Sequence, residues 1–251
     1  ENGITPNPCI DCNRYLKFDK LYMRAKELDR DYVVTGHYAR VEKDGNGRFL
    51  LKKALDDTKD QSYVLYCLTQ EQLSHTIFPL GDMRKSQARE IAELQGFINA
   101  RKADSQDICF VQNGSYADFI EQYTGKNYPD GDFLDKDGNI IGRHKGVIRY
   151  TVGQRKGLGI SAPEPLYVKA VNPVSNTVTL SYNDGLYSSI VKAGDINLIS
   201  VPEIKGEMRV KAKVRYRHTE QWATVTQNGD TITAVFDEPQ RAVTCGQALV
   251  L

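Results

Sequence analysis

The chain has 251 residues, 40% of them apolar and 26% charged, with a formal net charge of +1. That composition fits a soluble globular protein with room for two or three domains. It excludes a membrane-spanning helix, because no apolar run is long enough, and it leaves nucleic-acid binding to local basic patches rather than a global field.

The opening, "ENGITPNP", lacks an initiator Met and reads as a loop, so the chain is expected to be a piece of a longer one. "LKFDKLYMRAKELD" follows with Leu16, Phe18, Leu21, Tyr22, Ala25 and Leu28 at helical spacing. "DYVVTGHYARVE" predicts a strand ending at Gly36, and "KDGNGR" a turn into the second strand "FLLKKAL". "DQSYVLYCLTQEQLSHTIF" and "MRKSQAREIAELQG" predict helices, the second closed by Gly96. "NARKADSQDICFV" ends in a short apolar run suited to a strand. Helix–strand alternation of this kind argues for part of an α/β sheet.

From Gly114 the texture changes. "DFLDKDGNIIGRHKG" predicts two strands around an Asp-Gly-Asn turn, and "YTVGQRKGLGI" packs glycines and a Gln-Arg-Lys cluster into a loop. "LYVKAVNPVSNTVTLSY" alternates around a Pro/Asn turn. The last region, "MRVKAKVRYRH", "QWATVTQNGDTITAVFD" and "QALVL", reads as short strands of a small β-barrel. The expected division is 1–112 (α/β), 113–198 (β-rich) and 199–251 (β-barrel).

The five cysteines are an odd number without the spacing of a secreted disulfide scaffold, so free thiols in a reducing, cytoplasmic setting are expected. Cys9-x-x-Cys12 admits three readings. A zinc knuckle needs a second ligand pair, which the sequence lacks, so no tightly bound metal is expected. A thioredoxin-like dithiol would follow a strand, whereas this pair follows Pro-Asn-Pro. The third reading is one nucleophilic thiol, activated by a helix starting near Asn13 and by Arg14 or Lys17. Cys67 and Cys245 read as packing residues. Cys109 has the same bland reading, against which stand its polar neighbours Ser105, Gln106 and Asp107. Arg149, Arg155 and Lys156 around the glycine-rich loop, with Arg215 and Arg217 on a barrel strand, suit phosphate contacts, and Tyr216 between the last two suits base stacking. The bland alternative for each is a charge on a solvated sheet face.

In order along the chain, "TPNPCIDCNRYLKF", "TGHYAR", "KDQSYVLYCL", "SQDICF", "YTVGQRKGLGI", "AKVRYRH" and "CGQALVL" resemble the motifs of the bacterial tRNA-specific 2-thiouridylase family. The resemblance covers essentially the whole chain, without the family's N-terminal ATP-pyrophosphatase loop, and it implies a fold and a chemistry. The fold is an α/β remnant of an adenine-nucleotide alpha-hydrolase-like (PP-loop) domain, then a β-rich central domain that binds tRNA, then a C-terminal β-barrel. The activity is ATP-dependent 2-thiolation of the wobble uridine of tRNA, with ATP and Mg2+ as cofactors and a sulfur-carrier protein as persulfide donor. Without the ATP loop, the isolated chain is expected to be unable to adenylate its substrate.

By the same resemblance, Cys12 matches the nucleophile and Cys109 the persulfide carrier, the two forming a disulfide during turnover. Gly36 matches a backbone position beside ATP; its bland reading is an ordinary strand-end glycine. Asn7, Pro8 and Cys9 match positions at the target base. His37, Lys59, Asp60, Gln61 and Gln247 match positions that touch tRNA or that base, although Asp60 also suits a helix cap. The sequence departs from the pattern at Cys9, where some members carry a catalytic aspartate that a thiol does not replace without a shifted pKa. Two readings of other classes are a non-catalytic tRNA-binding module and a tRNA methyltransferase; the second needs a glycine-rich adenosylmethionine loop that is not visible.

Overall fold

The computed structural model describes residues 2–102, 109, 111 and 115–251. The strand expected at the end of "NARKADSQDICFV" falls mostly outside these residues, as does most of "SQDICF".

The first unit opens with one continuous helical rod. Asn7 caps it, its Oδ1 accepting the Cys9 N–H at 3.1 Å, and Pro8 occupies the first helical position, where a missing N–H costs nothing. Helix α1 (Pro8–Asp11) runs into a π-helical stretch (Cys12–Lys20) and then α2 (Leu21–Glu27). The wider i→i+5 winding is visible where the Leu21 N–H donates to the Leu16 carbonyl. The rod therefore starts at Pro8 and not near Asn13. Of the expected apolar stripe, Phe18, Tyr22 and Ala25 are buried while Leu16, Leu21 and Leu28 face solvent, the π winding having reset the phase of the face.

Strand β1 (Val33–Val34) pairs in parallel with β4 (Thr76–Ile77), which makes the α/β element of this unit. Between them, β2 (Ala39–Lys43) and β3 (Phe49–Lys53) form the expected hairpin. Asp44 holds its turn, the carboxylate accepting from the Asn46 and Arg48 N–H groups at 2.8 Å each. The segment expected as one helix breaks into α3 (Ser62–Leu65) and α4 (Gln70–Ser74), because Thr69 and Gln72 form a reciprocal capping box that starts a new helix. Helix α5 (Lys85–Leu94) closes at Gly96, whose φ of +70° suits glycine. Phe18, Val33, Ala39, Tyr63, Leu65 and Leu73 are among the residues of the core between these elements. Gly81 is required there, since a Cβ would sit 2.0 Å from the Ala39 carbonyl oxygen.

The central unit packs α6 (Tyr116–Thr124) beside a four-stranded sheet, order β6-β5-β8-β7. Strands β5 (Gly131–Leu134) and β6 (Ile140–His144) form one expected hairpin; β7 (Tyr167–Asn172) and β8 (Thr177–Ser181) form the other. The two hairpins join through the parallel pair β5–β8.

The last sheet has the order β10-β11-β12-β9, from β9 (Tyr187–Ala193), β10 (Met208–Ala212), β11 (Gln221–Asn228) and β12 (Thr231–Arg241). Because β9 hydrogen-bonds to β12, this sheet draws a strand from before residue 199, where the sequence places the boundary. Among the described residues the sheet is open, with β9 and β10 at its edges, and "QALVL" contributes an isolated bridge, Val250 to Lys213. The strand expected through "MRVKAKVRYRH" stops at Ala212, so Arg215, Tyr216 and Arg217 lie on a turn and not on a strand.

The first and last units are tied by partly buried hydrogen bonds from side chains to backbone carbonyls. Arg48 donates to the carbonyls of Ile199 and Leu198, both at 2.6 Å, and of Val201 at 2.9 Å. The Asn197 amide donates to the Leu68 carbonyl at 2.9 Å, and the Tyr63 hydroxyl to the Ala248 carbonyl at 2.9 Å. A cavity of about 780 Å³ remains along this seam, its wall including Asn7, Arg14, Tyr63 and Lys213.

Candidate functional site

Cys9 and Cys12 stand one turn apart at the start of the rod, and the Cys12 N–H donates to the Cys9 and Pro8 carbonyls. Cys9 and Cys109 are exposed and Cys12 is half-buried; all five cysteines are free thiols. Burial pushes the Cys9 thiol up, and the charges of Cys109 and Cys12 push it the same way, while Lys17 pulls it down. Cys12 and the sequence-remote Cys109 are therefore each within electrostatic reach of Cys9, as is Lys17. Arg14, the other cation expected here, is taken up by Asp195 at 2.5 Å.

Lys17 also reaches His37. The lysine ammonium is only a donor, so His37 Nε2, 3.4 Å from it, accepts, and Nδ1–H donates to Thr35 Oγ1 at 2.8 Å. Burial foremost, then the Lys17 charge, push the His37 pKa down to about 4. The ring packs between Phe18 and Phe78, centroids 5.8 Å away in each case, and is 7% exposed, so it belongs to the interior and not to a surface that meets a ligand. The unfolded chain binds this proton more readily, so stability from neutral His37 is complete above pH 6.5 and falls as pH drops towards about 4. The loss amounts to ~3 kcal/mol at most. Urea titrations between pH 7 and pH 4 are expected to show this decline in the wild type and to show it flattened in His37→Gln.

The "KDQS" stretch is braced by its own backbone contacts. Asp60 accepts from the Ala54 N–H at 3.0 Å and from the Ser62 hydroxyl at 2.7 Å. Gln61 is held twice to Tyr38, its Oε1 accepting from the Tyr38 N–H at 3.0 Å and its N–H donating to the Tyr38 carbonyl at 2.8 Å. The Tyr216 hydroxyl donates to the Asp60 carbonyl at 3.3 Å, and its ring lies 5.8 Å from that of Tyr63. Burial pushes the Tyr216 hydroxyl up; Asp60 and Cys9 act the same way, while Arg217 and Lys59 oppose them. Tyr216, 39% exposed, therefore stands within electrostatic reach of Cys9, Lys59 and Arg217.

Other expected residues lie elsewhere. Arg149 is engaged by α6, with Asp118 and Glu121 each at 2.9 Å, which leaves no phosphate-ready guanidinium. Arg155 and Lys156 are exposed on their loop. Arg215 pins that loop to the last unit, donating to the Val152 carbonyl at 2.8 Å and to the Thr244 hydroxyl, while its buried Nε has no partner among the described residues. Burial first, then Arg241, push its pKa down. Gln247 donates to the Thr5 carbonyl, and the Thr5 N–H donates to the Cys245 carbonyl at 2.8 Å. The turn at Gly246 (φ +90°) thus grips the segment leading into Cys9, and a Cβ there would meet Thr5 N at 3.0 Å. Asn7 and Pro8 serve as helix cap and first residue, as described above. Gly36 is exposed just past the carboxyl end of β1, and a Cβ there would touch only Leu80, at 3.7 Å.

Sequence reasoning missed Asn13, which is 2% exposed and donates to the Val64 carbonyl at 3.0 Å, locking the π stretch to α3. It also missed the Lys17–His37 contact, for which no local pattern exists. Among the described residues no group of three or more His, Cys, Asp or Glu side chains is placed to hold a metal ion, and no helix is long and apolar enough to cross a membrane.

Three family descriptions match in succession: tRNA methyl transferase HUP domain at residues 1–113, tRNA methyl transferase PRC-barrel domain at 117–182, and aminomethyltransferase beta-barrel domain at 188–251. Among similar proteins, the tRNA-specific 2-thiouridylase MnmA of Clostridioides difficile is 49% identical over 99% of this chain and 70% of its own length. The protein of the same name from Lachnoclostridium phytofermentans is 49% identical with the same coverage, and that from Acetivibrio thermocellus is 48% identical, again over 99% and 70%. On matches of this length and identity, together with the ordered motifs around Cys12 and Cys109, the chain belongs to the tRNA-specific 2-thiouridylase family.

Proposed function

We propose that the protein acts in the 2-thiolation of the wobble uridine of tRNA, with Cys109 carrying the sulfur and Cys12 releasing it. The observation that supports this reading is that Cys109, remote in sequence, lies within electrostatic reach of Cys9, which stands one helical turn before Cys12, with Lys17 also in reach. A uridine carbonyl oxygen is a poor leaving group; ATP supplies an adenylate that departs as AMP. Gly36 suits a position beside that nucleotide, because its backbone is open at the carboxyl end of a parallel strand, where α/β folds bind ligands.

A persulfide delivered to Cys109 by a sulfur-carrier protein has a terminal and an inner sulfur. The Cys12 thiolate attacks the inner one; the Cys109–Cys12 bond forms, the sulfur–sulfur bond of the persulfide breaks, and the terminal sulfur leaves as hydrosulfide towards the activated C2 carbon. Tyr216 offers a ring face to a base splayed out of the anticodon, with Lys59 and Arg217 near enough to meet phosphate.

The test is expression of the gene, together with the coding sequence upstream of this chain, in a bacterium whose own 2-thiouridylase gene is deleted, followed by mass analysis of tRNA nucleosides. The expected result is the return of 2-thiouridine derivatives. A methylated uridine in their place, or tRNA binding with no modified nucleoside, overturns the proposal in favour of a methyltransferase or a binding module.

A further inference from the structure

We infer that the segment Gly3–Asn7 is a stiff tie that sets the start of the rod against the central and last units, so that tRNA held on the last unit meets the rod in register. Gly3, Pro6 and Gly246 are its positioning residues. The inference rests on the function proposed above, in which Tyr216 and Arg217 of the last unit and Cys12 of the rod serve one anticodon.

Three contacts within five residues define the tie. Gly3 lies against the end of β7 in the central unit: its φ is +67°, and a Cβ there would stand 2.9 Å from both the Val171 carbonyl oxygen and Pro173 Cδ. Only glycine takes that place without pushing the two segments apart. Two residues on, the last unit clamps Thr5, whose N–H donates to the Cys245 carbonyl at 2.8 Å and whose carbonyl accepts from the Gln247 amide. Gly246 allows this approach, having a φ of +90° and room for a Cβ only 3.0 Å from Thr5 N. Two further on, Asn7 caps the rod in the first unit. All three units thus meet on one short piece of backbone.

The sequence makes that piece stiff. In Thr5-Pro6-Asn7-Pro8 every second residue is proline, with φ fixed near about −65°. The residue before each proline is driven from helical into extended backbone, as Asn7 shows at φ −98° and ψ 101°. From Gly3 to Asn7 the chain spans at most ~14 Å, so an extended link locked by proline has little slack. A displacement of either clamped point is passed to the rod rather than absorbed. The other anchors of the rod lie farther along it, Asn13 on the Val64 carbonyl and Arg14 on Asp195. Its first turn, from Pro8 to Cys12, therefore takes its place from the tie.

The experiment uses the full-length enzyme, encoded with the sequence upstream of this chain, and inserts two glycines between Pro6 and Asn7. Every contact named here still forms in that variant; only the link is slackened. The expected result is a kcat for 2-thiouridine formation lowered on the order of tenfold or more, with KM and tRNA affinity within about twofold of the wild type. In the free protein, the amides of residues 9–12 are expected to exchange with solvent faster. An unchanged kcat, a loss carried by KM or tRNA affinity, or unchanged exchange overturns the inference alone. Should the insertion fail to fold to the wild-type urea midpoint, Pro6→Gly, which loosens the link at constant length, is read in the same way. A wild-type enzyme that binds tRNA and makes no 2-thiouridine overturns the function proposed above, and the exchange comparison still decides whether the tie holds the turn.

Discussion

Replacing either Cys12 or Cys109 by serine is expected to lower formation of thiolated tRNA by at least about a thousandfold, because a serine hydroxyl neither carries a persulfide nor attacks one. Two variants are needed because their failures differ. Cys109→Ser should accept no sulfur from a persulfide donor, whereas Cys12→Ser should accept it and hold it. Labelling with a radioactive sulfur donor separates them: protein-bound label absent in the first, retained in the second. Neither residue supports the local fold, Cys109 being exposed and Cys12 half-buried, so both variants should unfold at the wild-type urea concentration. Substantial thiolation by either variant sinks the assignment of that residue.

Arg48→Met is expected to lower stability by about 3 to 5 kcal/mol, seen as a reduced urea midpoint. One guanidinium satisfies the carbonyls of Leu198, Ile199 and Val201, a segment between β9 and β10 that has no ladder to join. Methionine retains the aliphatic stem but leaves three carbonyls short of a charged donor. Gln70 backs up the same segment, its amide reaching the Ile199 carbonyl at 3.2 Å, so Arg48→Met with Gln70→Ala should lose more than the single variants sum to. A loss below about 1 kcal/mol for Arg48→Met would mean that solvent satisfies these carbonyls and that the seam is not closed by this residue.

What the sequence made legible was what short periodicities encode. The alternation in "QWATVTQNGDTITAVFD" around Asn228-Gly229-Asp230 reappears as the β11–β12 hairpin, and the Asp-Gly-Asn turn as β5–β6. The same alternation misled at Arg215 and Arg217, where it continues through a turn because a period of two says nothing about where pairing partners end. The break between α3 and α4 was readable after all: Thr69-x-x-Gln72 is a capping box, overlooked beside the apolar run around it. Arg149 shows the opposite limit. Its partners Asp118 and Glu121 sit on a helix well before it, and only folding brings the charges together. The thiols followed the same rule: the motifs named Cys9, Cys12 and Cys109, but that Cys109 comes within electrostatic reach of Cys9 depends on the path of the intervening chain.

The nine residues Cys12–Lys20 are wound more loosely than those on either side, and this has a consequence for how the enzyme tolerates change. Removing one residue between Asn13 and Phe18 would change the angle between these two buried side chains, since each helical residue turns the chain by about 100°. Asn13 could not then reach the Val64 carbonyl while Phe18 kept its place in the interior, so the rod that carries Cys9 and Cys12 would lose its seat on α3. Length, more than side-chain identity, is the property this stretch should hold fixed.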